Sequence, residues 1–449
     1  MMRHKLTLIA ALAAFGLLPA LAHADASQLG KTLTPVGAEQ AANADGSIPA
    51  WEGGITTPLP GHKTGGHYAD PYANEKPLFT ITPENVDQYK DKLSPGQIAL
   101  FKKYATFRMP VYPTHRSAAF PKAIYAATLK NASNAKLAPG GNGVTNATAG
   151  FPFPIPRSGQ EAIWNHLLGY RGDTFGMNFV QVMPTRSGDY TPVRMKMEYD
   201  YSYGSLSKSD EDREPNKLLN FLQVFTAPAR LAGTILLVHE PIDQVRQSRT
   251  SWTYSPGIRR VRLAPEVNYD NPASSSDGLR TNDDFWMYNG AIDRYNWKLA
   301  GKKEMYVPYN SYQLVSPKLK YADLVRPGHL NPEYTRYELH RVWVIEATLK
   351  PEFRNIYSKR VFYLDEDAWT VTAIDKYDAR GELWRYAESH NIQMYDVPMH
   401  FNMVDVQHDL QSGRYLAMGL RNEEPEVWRR LQRSAADYTP SSLRKRGVR

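Results

Sequence analysis

Residues 191–203 read TPVRMKMEYDYSY. From Val193 every second position is apolar or aromatic: Val193, Met195, Met197, Tyr199, Tyr201 and Tyr203. Arg194, Lys196, Glu198 and Asp200 fill the alternate positions. A period of two is that of a β-strand with one wet face and one buried face. The buried face serves either as plain core or as the lining of a hollow. Three inward tyrosines bring hydroxyls that a dry core must satisfy, and methionine adapts to a floppy apolar guest. The register matters, because a slip of one residue would turn Lys196 and Glu198 inward instead.

Just before this strand the chain changes character. Residues 151–172 read FPFPIPRSGQEAIWNHLLGYRG. Pro152, Pro154 and Pro156 hold the first part extended. Ser158 followed by Glu161 is a capping-box signature. Ile163, Trp164, Leu167 and Leu168 then share one helical face, so the spacing predicts a short amphipathic helix that covers something apolar. Beyond it, period-two segments recur at 179–183, 221–225, 233–239, 252–254, 258–263, 305–309, 337–349, 359–364, 369–377, 382–388, 400–407 and 414–420. Several are joined by hairpin-length turns such as Asp365-Glu366-Asp367 and Gln411-Ser412-Gly413. The 28 Tyr and 9 Trp agree with β structure. Roughly ten antiparallel strands in meander order are expected.

Upstream, the text is helical and loop-rich. Thr34-Pro35 opens a short helix ending near Asn43, Thr82-Pro83 another, Ser94-Pro95-Gly96-Gln97 a third, and Pro121 a fourth. Residues 136–150, rich in Gly, Asn and Ala, read as a loop. Downstream, Glu426 to Arg433 reads as a basic helical end piece and Tyr438 onward as a loose tail. The organisation is therefore residues 1–24 as a leader, 25–156 as an N-terminal arm packed on the body, 157–422 as the β body, and 423–449 as a basic C-terminal piece.

Met1–Lys5 is basic, Leu6–Leu21 is almost wholly apolar or small, and Ala22-His23-Ala24 is an A-x-A cleavage site, which together read as a signal peptide. No later run is long and apolar enough to span a membrane. Cysteine is absent, which excludes disulfides, thiolate metal sites and a lipid-modified N-terminal Cys. A soluble periplasmic protein, not a lipoprotein, is expected. The net charge of +8 is dispersed, and nucleic acid is a poor partner for an exported chain.

The motifs of catalysis are missing: no HExxH, GxSxG, EF-hand loop or Gly-rich phosphate loop. Asp405, His408 and Asp409 are the nearest approach to a metal cluster and read as ordinary surface. Asp283-Asp284 reads as acids in the first turn of a short helix, Thr281 to Tyr288, favourable to the helix dipole. No catalytic residue, metal or cofactor is expected. Arg260 and Arg262 share a strand face and form either a solvated face or a docking patch.

Several long stretches, in order, resemble the exported proteobacterial family known as domain of unknown function 1329. They include LTPVGAEQAANADGSIPAWEGG (33–54), YADPYANEKPLFTIT (68–82), RMPVYPTHR (108–116) and the 151–172 stretch. SWTYSPGIRRVRLAP (251–265), DDFWMYNG (283–290), YNWKLAGKKEMYVPYN (295–310), RVWVIEATLK (341–350) and RVFYLDEDAWTVTAIDKYDARGELWR (360–385) continue the match. The body also resembles the LolA/LolB-like periplasmic lipid and lipoprotein carriers, through Pro228–Thr234, Trp252–Arg262, Asp283-Asp284 and the Tyr363–Trp369 hairpin. That resemblance implies a mostly β (α+β) fold, an incomplete, strongly curved antiparallel barrel with plugging helices. It also implies a lipid or acyl-chain ligand, an RND-type exporter and an outer-membrane barrel protein as partners.

The resulting expectation is a non-enzymatic periplasmic carrier for a hydrophobic molecule. Met195, Met197, Tyr199, Tyr201 and Tyr203 line its hollow, and Ile163, Trp164, Leu167 and Leu168 form the helix that closes it. The alternatives are a protein-interaction or sensor module whose barrel is filled by its own side chains and, behind it, an exported envelope hydrolase.

Overall fold

A computed structural model describes residues 25–447 apart from 210, 268 and 269. The expected signal peptide, residues 1–24, lies outside the described residues. The strand at the centre of the sequence argument, Val193–Tyr201, has the predicted register: Val193, Met195, Met197, Tyr199 and Tyr201 are buried while Lys196 is exposed.

In chain order the strands are β1 (Phe79–Ile81), β2 (Met109–Val111), β3 (Lys136–Leu137), β4 (Val144–Thr145), β5 (Thr174–Val182), β6 (Val193–Tyr201), β7 (Lys217–Ala227), β8 (Ile235–Pro241) and β9 (Thr250–Ser255). Then follow β10 (Arg260–Leu263), β11 (Tyr295–Pro308), β12 (Tyr337–Leu349), β13 (Lys359–Asp365), β14 (Val371–Tyr377), β15 (Leu383–Met394), β16 (Met399–Asp409), β17 (Arg414–Leu420) and β18 (Arg429–Arg430). Among the described residues five helices accompany them: α1 (Pro95–Lys103), α2 (Lys122–Asn134), α3 (Gly159–Leu167), α4 (Tyr321–Leu324) and α5 (Pro440–Gly447).

Among the described residues sixteen strands form one sheet, and β3 pairs with β4 apart from it. Two antiparallel meanders, β5–β10 and β11–β17, are joined where β17 returns to pair with β5, Ala417 opposite Val182. The arm adds β1 and β2 at the far edge through a single parallel bridge, Val111 to Tyr337. The other edge is β10, paired with β9 alone, so the sheet stays open. Bulges interrupt the register at Arg194/Met195, Leu299/Gly301, Tyr363/Leu364 and His390/Asn391. Each bends its strand and strengthens the twist, and the sheet curves.

The curvature gives the sheet two unlike faces. On the inner face residues from both meanders meet in one large apolar cluster with α3. The outer face of β12–β15 carries a second cluster that includes Leu100 and Phe101 of α1 and Val86, Phe107 and Ile48 of the arm. Ser94 caps α1 with a complete capping box, and the cap sits on the sheet, where Ser94 Oγ and Gly96 N both donate to Asp375 Oδ1. Gly96 is required there: a Cβ would lie 2.2 Å from the Tyr386 ring.

Several local expectations give way to tertiary packing. Residues 33–43 form turns and a short Leu33–Glu39 bridge instead of a helix. Gly37 takes φ +94, and a Cβ on it would fall 1.8 Å from the Pro154 carbonyl oxygen, so this segment is shaped by its close approach to the 151–156 stretch. The Thr82-Pro83 helix is reduced to the 3-10 turns Val86–Gln88 and Lys90–Lys92. Residues 136–150 contain the β3–β4 hairpin. Glu426 to Arg433 is extended, because Arg429 and Arg430 pair with β5 and Trp428 Nε1 donates to Tyr68 Oη.

The segment from Tyr438 is not loose. Tyr438 and Leu443 bury against Leu222, Ile235, Leu237 and Tyr254 on the outer face of β7–β9. Arg433 and Arg446 both donate to the carboxylate of Glu198, so the polar side of β6 is dry at that end. Removing the Leu443 side chain is expected to lower stability by about 2–5 kcal/mol, read as a shift of the urea midpoint. Arg444→Ala, at an exposed position of the same helix, should leave the midpoint where it is.

Candidate functional site

The nine residues expected to line and close the hollow all fall in the inner-face cluster. On β6 and just after it, Met195, Met197, Tyr199, Tyr201 and Tyr203 are each at most 5% exposed. Tyr203 Oη donates to Gly150 O at 2.7 Å, and among the described residues Tyr199 Oη has only the Met197 sulfur, at 3.2 Å. Burial pushes the Tyr199 hydroxyl well above the usual phenol range.

Helix α3 forms as the sequence dictates, with one difference in its cap. Ser158 Oγ accepts from Glu161 N, but the Glu161 carboxylate accepts from Arg157 N instead of closing the box on Ser158. Arg171 closes the other end, donating to the carbonyls of His166, Leu167 and Gly169. Ile163, Trp164, Leu167 and Leu168 are buried, and the helix packs on β11 and β12. Gly159 permits this, since a Cβ there would lie 2.8 Å from the Trp297 backbone.

The segment that lies directly on the β6 face is Phe285-Trp286, which the sequence reading assigned to a helix. The Trp286 ring meets Tyr199 at 5.8 Å and Phe401 of β16 at 4.8 Å, while Phe285 meets Phe179 and Phe221. This plug bridges the two meanders across the inner face. It also bonds to α3, where His166 Nε2 lies 3.0 Å from Trp286 O and His166 Nδ1 accepts from Val371 N.

The plug is locally unfavourable. Trp286 and Met287 have φ of +56 and +67, a left-handed conformation that costs non-glycine residues about 1–2 kcal/mol each. Those angles also end the expected 281–288 helix after the three-residue turn Asn282–Asp284. The indole Nε1 of Trp286 is buried without a hydrogen-bond partner among the described residues, and such an orphan costs about 1–3 kcal/mol.

What offsets this is the Asp283-Asp284 pair, whose role differs from the expected helix-dipole one. Both carboxylates are buried. Asp283 pairs with Arg360 of β13 at 2.7 Å and Asp284 with Lys376 of β14 at 2.6 Å. Arg360 sits among the rings of Tyr288, Tyr295 and Tyr357, 4.8 to 5.4 Å from their centres. Burial alone would raise the Asp284 pKa. Lys376 and Arg360 outweigh it and hold the carboxyl at about 2.

Beside the plug a cleft of about 200 Å³ opens between the start of β5 and the β15–β16 turn. Its lining is mostly apolar, with Phe175, Met177, Met399, Phe401 and Trp428 prominent. Phe175 stacks on Tyr199 at 5.0 Å, so a single layer of rings separates the cleft from the expected lining. The volume falls short of the roughly 300–1,000 Å³ of a site that encloses a drug-sized ligand.

A larger cleft of about 540 Å³ lies between residues 67–75 and 310–319 and is lined by Asp70, Glu75, Arg336 and several tyrosines. Titratable groups do converge there. Glu75 is matched by His115 at 2.6 Å and by Arg336 at 2.7 Å, the pattern of a structural ion-pair network.

The other sequence candidates separate. Asp405 and Asp409 project from one side of β16, where Asp405 accepts from Ser389 and Asp409 from Arg385, while His408 stacks between Tyr386 and Tyr415. Arg260 and Arg262 are exposed on the edge strand β10. Two features carry no sequence signal: the plug, which has no periodicity, and a His340–Asp365–Asp367 cluster, whose members lie on β12, at the end of β13 and in the turn after it, about 25 residues away.

A wide antiparallel sheet bent round a plugged, apolar inner face defines an open β half-barrel. The chain belongs to the family described as protein of unknown function (DUF1329), whose model matches residues 80–444. An uncharacterized protein of Pseudomonas aeruginosa is 51% identical over 448 residues, covering 99% of this chain and 98% of its own length. Among solved structures, a DUF1329 family protein from Desulfovibrio piger is similar at 16% identity, covering 60% of this chain and 91% of that one with a TM-score of 0.41. A LolA superfamily protein from Nitrosomonas europaea is similar at 11% identity, covering 63% and 98%, with a TM-score of 0.38. The architecture itself rests on the strand pairing described above. No helix among the described residues is long and apolar enough to cross a membrane.

Asp284→Asn leaves Lys376 buried without its counter-charge, and a loss of about 3–5 kcal/mol is expected, measured by urea unfolding at neutral pH. The Asp284 pKa is lowered in the folded state. Its contribution is therefore complete above the ordinary carboxylate value and is lost as pH falls towards about 2. In acid titrations followed by near-UV circular dichroism, the gap between wild type and Asp284→Asn should narrow over that range.

Proposed function

We propose that the protein is a periplasmic carrier that binds a hydrophobic molecule with an acyl chain on the inner face of its half-barrel. The guest would enter by the cleft at Phe175, Met399 and Phe401 and displace the Phe285-Trp286 plug from Met195, Met197, Tyr199, Tyr201 and Tyr203. The observation that carries this reading is the plug: an apolar, adaptable strand face is covered by a segment with left-handed backbone and an unpartnered indole N–H. The cleft alone is too small to enclose a lipid, so the carrier reading requires the plug to move. Ile163, Trp164, Leu167 and Leu168 then serve as the fixed wall beside it, tied to the plug through His166. The leader-like residues 1–24 support the periplasm as the compartment. Arg260 and Arg262, exposed on the open edge with Ile258 and Leu263 beside them, supply a docking face for an anionic surface at delivery.

A second reading is favoured by the same plug if it never leaves: an interaction module with a filled barrel. The two are separated by Trp286→Ala. On the carrier reading this variant takes up a fluorescent fatty-acid probe more tightly than wild type, and Met399→Asp takes it up more weakly. Native mass spectrometry with lipid extraction of protein purified from periplasm should release a hydrophobic guest. Absence of a guest, with no probe uptake by wild type or by folded Trp286→Ala, would leave the filled module standing.

A further inference from the structure

The arm and the turn of the β13–β14 hairpin enclose a second buried polar cluster that the carrier reading does not use. His340, Asp365 and Asp367 each present a ligand-type atom, all within 4.8 Å of one another, and all three residues are buried. We propose that these residues bind one divalent transition-metal ion of the zinc type.

The orientation of His340 is the first support. Its Nε2 lies 3.2 Å from Glu338 Oε2. Glu338 also accepts from Arg336 Nε, Asn310 Nδ2 and His115 N, which fixes it as an ionised acceptor. The Nε2 atom therefore carries the proton, and Nδ1 offers its lone pair. A histidine whose far nitrogen is held by a carboxylate in this way is the usual partner of a metal.

Asp365 gives independent support. Its Oδ2 accepts from Tyr309 Oη at 3.2 Å, while Oδ1 is buried and has no hydrogen-bond partner among the described residues. That orphan oxygen stands 3.8 Å from His340 Nδ1. The imidazole nitrogen and the carboxyl oxygen thus face each other with no hydrogen bond between them. An ion with bonds of about 2.0–2.2 Å to nitrogen and oxygen fits that gap.

The charges around the cluster are otherwise committed. Arg116 grips Asp367 with Nε and Nη2, and Lys302 and Arg341 pair with Glu366. Among the described residues Asp365 forms an ion pair with no Arg or Lys. Arg116 leaves Asp367 further lone pairs for a metal. His400 stays outside the set, on Tyr309 with ring centres 4.8 Å apart. The mixed nitrogen and oxygen donors suit zinc or manganese better than calcium or magnesium. Because Arg116 also donates to the carbonyls of Glu39, Gln40 and Pro49, the ion would clamp the arm to the sheet.

The test uses the mature protein, stripped of metal by chelation and titrated at neutral pH with zinc, and separately with manganese, by calorimetry. One equivalent of zinc bound per chain is expected, together with a higher Tm that a chelator reverses. Asp365→Asn and His340→Gln should each weaken binding by roughly tenfold or more. Cobalt(II), used as a spectroscopic substitute, should give visible d–d bands from a nitrogen and oxygen ligand set, which decides the matter even if neither variant folds. No stoichiometric binding of zinc or manganese by the wild type, an unchanged Tm and a cobalt spectrum like that of the hydrated ion would overturn the proposal. Undiminished zinc binding in folded Asp365→Asn would do so too.

Discussion

Two buried ion pairs, Asp283 with Arg360 and Asp284 with Lys376, hold together what the rest of the inner face cannot. Four charges removed from water are expensive. They persist only because each finds its counterpart and because tyrosine rings surround the guanidinium. Their effect is to fix the start of a segment whose middle is uncomfortable. Phe285 and Trp286 follow directly, and the left-handed turn at Trp286 and Met287 is held between those anchors and the hydrogen bond from His166. Stability in this region is therefore polar at the root and apolar at the tip.

The two faces of the sheet divide the work. The outer face is closed by the arm and by α5, with apolar clusters sealed by salt bridges to Glu198 and Glu366. The inner face keeps its methionines and tyrosines behind one loop and one layer of rings. Helix α3 packs on β11 and β12 and is bonded to the plug by a histidine that burial holds neutral, with its pKa down at about 3.

The sequence was most legible where one periodicity ran unopposed. Residues 191–203 gave strand, register and buried face together, and Ser158 with the Ile163–Leu168 pattern gave α3. It was misleading where a distant contact overrides a local preference. Thr34-Pro35 promises a helix, but Gly37 must approach Pro154 with positive φ. Glu426–Arg433 has helical composition, yet its backbone pairs with β5. Asp283 and Asp284 look like first-turn acids because nothing local reveals the cations waiting on β13 and β14. The plug and the His340 cluster were invisible for the same reason: each is assembled by strand pairing across the sheet, and no spacing in the chain records it.

The pairing of β17 with β5 has a consequence for the order of events when the chain folds. Val182 meets Ala417 only after some 235 intervening residues have emerged, and contacts of that separation are slow to form. Until then the first meander exposes β5 as a bare edge, next to an apolar face that its own plug covers only once β13 and β14 have arrived to anchor it. A folding chain thus passes through a stage in which its stickiest surface is open and its latch does not yet exist. Such a protein needs either rapid completion of the C-terminal strands or an attendant that shields β5 and β6 in the interval.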